Sequence, residues 1–194
     1  MSRKREFDLD RALDRAMRLF WARGYSNTSL RDLLRVMQIG EGSFYNVVKG
    51  KTALYLQCLK HYNDVVTGRR LKTLQGPGAI GTVVRNFFKS VLDDLDDPAT
   101  PRVCMMAGSL SGDVLAEREL ERYVIAEMTA FQSAFVKRFE SARRSGDLPR
   151  DFDCQAAAQL LVVYLQGMFR VVRVLNTRRQ IERQLDSLLG GLGV

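Results

Sequence analysis

Residues 28–55 read TSLRDLLRVMQIGEGSFYNVVKGKTALY. Leu30, Leu33, Leu34 and Met37 recur at helical spacing with Thr28 ahead of them as a cap candidate, so the spacing predicts a helix of about two and a half turns that hides this face. Ser29, Arg31, Asp32 and Arg35 are its polar remainder. After a break at Gln38, Ile39 and Gly40, a very short helix over Glu41–Val47 would turn Ile39, Phe44, Val47 and Val48 inward and leave Ser43, Tyr45 and Asn46 outward. Two short helices that meet at such a break form a helix-turn-helix, and small polar and aromatic side chains on the outer face suit a DNA groove.

Working outward, Ser2–Arg5 is a basic arm without periodicity, and Asp8 opens a predicted helix to Arg23 that buries Leu9, Leu13, Ala16, Met17 and Phe20 and ends at Gly24. Trp21 and Tyr25 fit as packing aromatics around this helix. On the other side, Lys49-Gly50-Lys51 is a tight basic turn. Thr52 then opens a long helix to Thr73 with Leu54, Cys58, Tyr62 and Val65 on one stripe, stopped by Gln75-Gly76-Pro77-Gly78. Further helices are predicted over 79–92, where the acidic run Asp93–Asp97 ends one, and over 102–112, 115–144, 154–175 and 181–189. Neither a strand nor a repeat is visible. The expected fold is all-α, with a three-helix helix-turn-helix domain over residues 1–51 and a helical ligand-binding and dimerisation domain over 52–194.

The chain has 194 residues, 46% of them apolar, which is ample for a core, and a formal net charge of +8. Residues 1–60 carry 12 Lys and Arg against 6 Asp and Glu, and so hold +6 of that excess. A basic surface of this kind suits either solvent or a polyanionic partner. Cys58, Cys104 and Cys154 are too widely spaced for a zinc knuckle and odd in number, so no disulfide framework is expected and the compartment reads as reducing. The opening MSRKREFDLD has no apolar signal core, and the run Ala156–Phe169 is interrupted by Gln159 and Gln166. A cytoplasmic chain is expected. His61, the single histidine, has no second ligand or nucleophile at useful spacing, so neither a metal, a cofactor nor an enzymatic triad is expected.

In its order of elements and in the string FYNVVKGKTALY at 44–55, the chain resembles the TetR family of transcriptional repressors (TetR/AcrR type). The resemblance is carried by the segment up to residue 60 and implies a homodimer that sets two short recognition helices in successive major grooves of operator DNA. In that family an effector in the C-terminal domain moves the linking helix until the spacing no longer fits. Tyr45 matches the recognition-helix tyrosine that touches phosphate or a base edge, and Lys51 matches the lysine that meets the backbone at the start of the next helix. Ser43 and Asn46 face the same way, and Asn can pair with adenine. Thr28 and Ser29 are candidate phosphate donors at a helix start, and Gly42 and Lys49 complete the DNA-binding set. Arg3, Lys4 and Arg5 are either a minor-groove arm or a frayed terminus. The chain departs from the family at Gln38, where a turn glycine is common, at Gly40 for a capping Ser, at Glu41 for a basic residue, and at Val47 for a His or Tyr.

Phe87, Met105, Met106, Met128, Phe131, Phe135, Tyr164 and Met168 are the candidates to line a pocket for a small apolar or aromatic effector; in any helical domain most of them would also serve as core. Ala156, Leu160, Val163 and Gly167, with Ile181, Leu185 and Leu188, form two apolar faces that would close a four-helix dimer interface. Cys104 is either a small buried hydrophobe or, with Arg102 nearby, a thiol that senses electrophiles. The expected function is a repressor released from its operator by an effector; a constitutive regulator without effector response is the alternative.

Overall fold

Helix ends fall where side chains or glycines satisfy the orphan backbone groups. A computed structural model describes residues 2–172, 174 and 177–194, and only the backbone of residues 2–8. The helices are α1 (Ser2–Arg23), α2 (Leu30–Met37), α3 (Glu41–Val47), α4 (Lys51–Tyr62), α5 (Gly68–Lys72), α6 (Ile80–Asp96), α7 (Met105–Gly108), α8 (Gly112–Leu115), α9 (Arg118–Arg144), α10 (Cys154–Val171) and α11 (Arg178–Leu192). A π turn, Asn63–Thr67, joins α4 to α5, and a 3-10 turn, Thr73–Gln75, follows α5. No strand occurs among the described residues, and the chain is all-α.

The chain divides into two compact units, Met1–Thr67 with Val103–Ile125, and Gly68–Arg102 with Ala126–Val194. The first unit is larger than the 1–51 segment read from the sequence. Leu54, Tyr55, Cys58, Leu59 and Tyr62 of α4 are buried in its core, and α4 packs along α1. The aromatic rings lock together edge to face: Phe20 to Tyr55 at 4.8 Å between centroids, and Trp21 to Tyr62 at 4.9 Å. Their polar tips bring in the 103–125 segment. Trp21 Nε1 donates to the Val103 carbonyl at 2.7 Å, and the Tyr55 hydroxyl pairs with Ser109 at 2.9 Å. Burial pushes the Tyr55 phenol up to about 12, with the Ser109 hydrogen bond opposing.

Three local expectations change in this unit. The basic arm at Ser2–Arg5 is part of α1 rather than an irregular lead, because nothing in residues 2–8 breaks a helix and Lys, Arg and Glu are good helix formers; the side chains of Arg3, Lys4, Arg5 and Asp8 lie outside the described set. The helix opened at the KGK turn has the expected extent but not the expected regularity: α-helix gives way after Tyr62 to the π turn Asn63–Thr67 and returns over Gly68–Lys72. The π turn that follows accommodates an extra residue per turn, so Val66 is buried while Val65, placed on the apolar stripe by regular spacing, is 45% exposed.

In the second unit α6 buries Val83, Val84, Phe87, Phe88, Val91, Leu92 and Leu95, and α10 buries Ala157, Ala158, Leu161, Leu165, Met168 and Phe169. The helix expected to end before the acidic run continues through Asp96 because cations neutralise it. Arg178 meets Asp93 at 2.8 Å and Asp96 at 2.7 Å, Lys89 meets Asp93, and Arg69 and the buried Arg70 converge on Asp94. Asp153 caps α10 through the Gln155 and Ala156 N–H groups, and Thr177 with Gln180 forms a capping box that starts α11 ahead of the predicted Ile181. The expected end of the preceding helix at Leu175 lies outside the described residues.

Hydrogen bonds from Arg178, then from Lys89, hold the Asp93 carboxyl below the usual carboxylate range. A depressed acid contributes stability that is present above its unfolded value of about 3.9 and is lost as the pH falls through the depressed folded value. Arg178→Ala should therefore flatten the decline of the urea midpoint between about pH 5 and pH 2. Equal acid sensitivity in mutant and wild type would show that acid releases other groups.

Candidate nucleic-acid interface

The two short helices are set by their junctions. Ser29 caps α2: its hydroxyl accepts from the Asp32 N–H at 3.1 Å and donates to the Asp32 carboxylate at 2.7 Å. Asp32 in turn holds Arg35 at 2.8 Å and Arg23 at 3.6 Å, and the Ser29 bond is the first cause of its lowered pKa. Gln38 ends α2 with φ 58, the one left-handed non-glycine among the described residues. A left-handed backbone at a non-glycine costs of order 1 kcal/mol. Gly40 caps α3 without a side chain, and Phe44 and Val48, fully buried at 0% and 2%, fix its inner face. Gly50, at φ 108, then turns the chain into α4, a backbone that L side chains rarely adopt.

With Phe44 and Val48 inward, Gly42 and Asn46 stand on the opposite side of α3 and Ser43 and Tyr45 on its flanks, all of them exposed. Tyr45 is 55% exposed, its ring braced edge-on against Phe44 at 5.3 Å. Val47, expected inside, is instead 46% exposed. Phe44 and Val48 are four apart and share the inner face, and a residue one step before Val48 is carried about 100° around the helix. Lys49 is exposed and, like Arg15 and Arg31, makes no ion pair among the described residues.

Lys51 opens α4 with its ammonium 4.4 Å from the centroid of the Tyr25 ring. Burial lowers its pKa and the charge of Asp113 opposes that shift. Tyr25 is held by Thr52 through a 2.9 Å hydroxyl pair, and Ser26 donates to the Asp113 carboxylate. The Ser111 and Ser26 hydrogen bonds keep that carboxylate below its usual range. Asp113 and Ser26 were not foreseen from the sequence; a separation of 87 positions leaves no local pattern to find. Thr28 requires a correction. It is completely buried and its hydroxyl donates to the Gly24 carbonyl at 2.8 Å, closing α1, so it has no free hydroxyl for a phosphate.

The other candidate residues separate. Met105 and Met106 are buried in the first unit, while the remaining six of the proposed pocket set belong to the second, so the eight do not line one cavity within a unit. Phe87, Phe131 and Phe135 form a ring cluster with centroids 5.0–5.9 Å apart, and Tyr164 meets Phe88 at 5.6 Å and donates to the Ile181 carbonyl at 3.2 Å. Phe87, Phe135 and Met168 are core; Met128, Phe131 and Tyr164 remain partly open. On α10, Ala156, Leu160, Val163 and Gly167 share one exposed face. Ile181 and Leu185 do not join it: they are 0% and 4% exposed inside their own chain, where α11 packs on α6, and Leu188 is half-buried.

Residues 12–58 match the profile of bacterial regulatory proteins of the tetR family. Over 193 residues the chain is 30% identical to an uncharacterized HTH-type transcriptional regulator, YezE, of Bacillus subtilis (strain 168), covering 99% of this chain and 100% of that one. It is 28% identical to the HTH-type transcriptional repressor ComR of Escherichia coli (strain K12), over 86% of this chain and 80% of ComR. A cysteine mutant of the TetR family regulator CifR, solved with a 26-bp double-strand operator DNA, superposes with a TM-score of 0.84 at 25% identity over 94% of each chain. The chain thus belongs to the tetR family of bacterial regulatory proteins, as a DNA-binding transcriptional regulator and not an enzyme.

Proposed function

We propose that this regulator is a cytoplasmic repressor that binds double-stranded operator DNA as a homodimer and leaves it when a small apolar or aromatic effector binds the second unit. The observation that carries DNA contact is the outer face of α3, where Ser43, Tyr45 and Asn46 are exposed on a helix pinned by Phe44. Gly42 lets that face approach closely, and Ser29, Lys49 and Lys51 supply phosphate contacts beside it. ComR and DhaR, both similar to this chain, are named repressors, and CifR is seen on operator DNA. No described helix is long and apolar enough to cross a membrane. The partly open Met128, Phe131 and Tyr164, beside the Phe87–Phe135 cluster, are the side chains that would meet the effector.

Lys51→Ala should weaken binding to every duplex and lower the slope of log affinity against log salt by about 1 per subunit, whereas Asn46→Ala should relax preference at one base pair. DNA affinity that is weak and insensitive to salt would exclude operator binding.

The exposed stripe Ala156, Leu160, Val163 and Gly167 supports the dimer, with Val163 61% exposed at its centre. A carboxylate there cannot be desolvated cheaply. Val163→Glu should convert a dimer into a monomer in sedimentation equilibrium without loss of helicity; an unchanged mass would place the interface elsewhere.

Cys104 supports a second reading, in which an electrophile is the signal. Its sulfur accepts the Ala107 N–H at 3.5 Å and the Tyr62 hydroxyl at 3.6 Å. Addition of Sγ across an activated carbon–carbon double bond, in which the thiol proton goes to solvent, the π bond opens and the adjacent carbon takes a proton from solvent, would crowd Tyr62 at the far end of the helix that begins at Lys51. Alkylation of Cys104 near neutral pH should then outpace that of an unfolded cysteine and lower DNA affinity; a slower rate leaves Cys104 as core.

A further inference from the structure

The apolar residue at the end of α3 is unexplained by the fold. Val47 is nearly half exposed, yet its neighbour Val48 already fills the interior position next to Phe44. Apart from the Tyr45 ring, which carries a hydroxyl, the rest of the exposed face is polar or without a side chain: Glu41, Gly42, Ser43 and Asn46. A valine there can neither donate nor accept a hydrogen bond, and its exposure contributes nothing to folding. What it offers is two methyl groups held in one direction, since branching at Cβ leaves few rotamers.

We propose that Val47 is a specificity-determining residue that packs on the 5-methyl group of a thymine in the operator. This rests on the DNA-binding function proposed above. In the major groove each base edge presents hydrogen-bonding groups, and the one apolar group is the thymine methyl, so an apolar side chain on a recognition helix selects T against C and against uracil. The surroundings favour that approach. Ser43 lies one turn before Val47 on the same flank and can bond to a neighbouring base edge. Gly42, with nothing within 4 Å of the position its Cβ would occupy, adds no bulk between the helix and the groove. Arg31 and Lys49, both exposed and without an ion pair among the described residues, provide sequence-independent attraction around the contact. Val47 then supplies a T-specific contact beside the adenine-type contact open to Asn46.

The test starts from duplexes enriched by the wild-type protein from a random DNA pool. Each thymine of the best-bound duplex is then replaced in turn by deoxyuridine, which removes the methyl and leaves the hydrogen-bonding edges intact. One position in each half-site should lose about 4-fold in affinity, the size expected for one buried methyl. Val47→Ala should bind the thymine and uracil duplexes equally at that position, with its thermal melt and its salt slope unchanged. Uniform affinity across all the uracil replacements would overturn the proposal and place Val47 against sugar or solvent. A Val47→Ala protein that still discriminates would overturn it as well. Failure of operator binding itself is distinguishable, because no duplex would be enriched at the first step, and both proposals would fall.

Discussion

A seven-residue helix cannot hold itself in water, where isolated helices shorter than about 12–15 residues are marginal. α3 therefore depends on its anchor, the complete burial of Phe44 with Val48 one turn on. Each such side chain contributes of order 1.5–3 kcal/mol when taken out of water. The orientation of every candidate DNA contact on α3 follows from this anchor: once Phe44 is inward, Gly42 and Asn46 are outward, and Ser43, Tyr45 and Val47 flank them. Side chains on short helices are aimed by what the opposite face buries, more than by their own chemistry.

The first unit is held by hydrogen bonds between segments far apart in the chain. Trp21 to Val103, Tyr55 to Ser109, Tyr62 to Cys104 and Ser26 to Asp113 fasten one stretch, residues 103–113, to α1, α4 and the turn after α1. Each is worth only about 0.5–1.5 kcal/mol net, but each is directional, and a buried tyrosine or tryptophan tip left unpaired costs more. Together they make the 103–125 segment part of the unit that carries the helix-turn-helix. Lys51 and Asp113 belong to the same arrangement, so the charge next to a candidate phosphate contact is set from a distant part of the sequence.

Much of the candidate site was legible because its signals are local. Gly24 and Gly50 adopt the positive φ that marks a helix end and a tight turn, and the span Glu41–Val47 follows from the break before it and the KGK turn after it. Errors arose where a local rule met a tertiary partner. Thr28 has the chemistry of a cap or phosphate donor, but its hydroxyl turns back to Gly24 because the residue is buried. Ser29 performs the capping instead. Val65 lost its place on the apolar stripe to Val66 through a π turn that no periodicity announces. The acidic run 93–96 stayed helical because Arg178, 82 residues beyond Asp96, neutralises it.

By itself the sequence determined the all-helical class, the helix-turn-helix and the basic bias of its first 60 residues, since these depend on hydrophobic spacing, glycine conformations and charge, all encoded within a few turns of chain. Only the tertiary structure decided which apolar faces are spent. Ile181 and Leu185 are consumed inside the chain, whereas Leu160 and Val163 remain open, and Val47 is left at the surface of α3. Helical spacing gives the same pattern for an apolar side chain that meets its own core and for one that awaits a partner; the difference is whether another segment of the chain arrives to cover it.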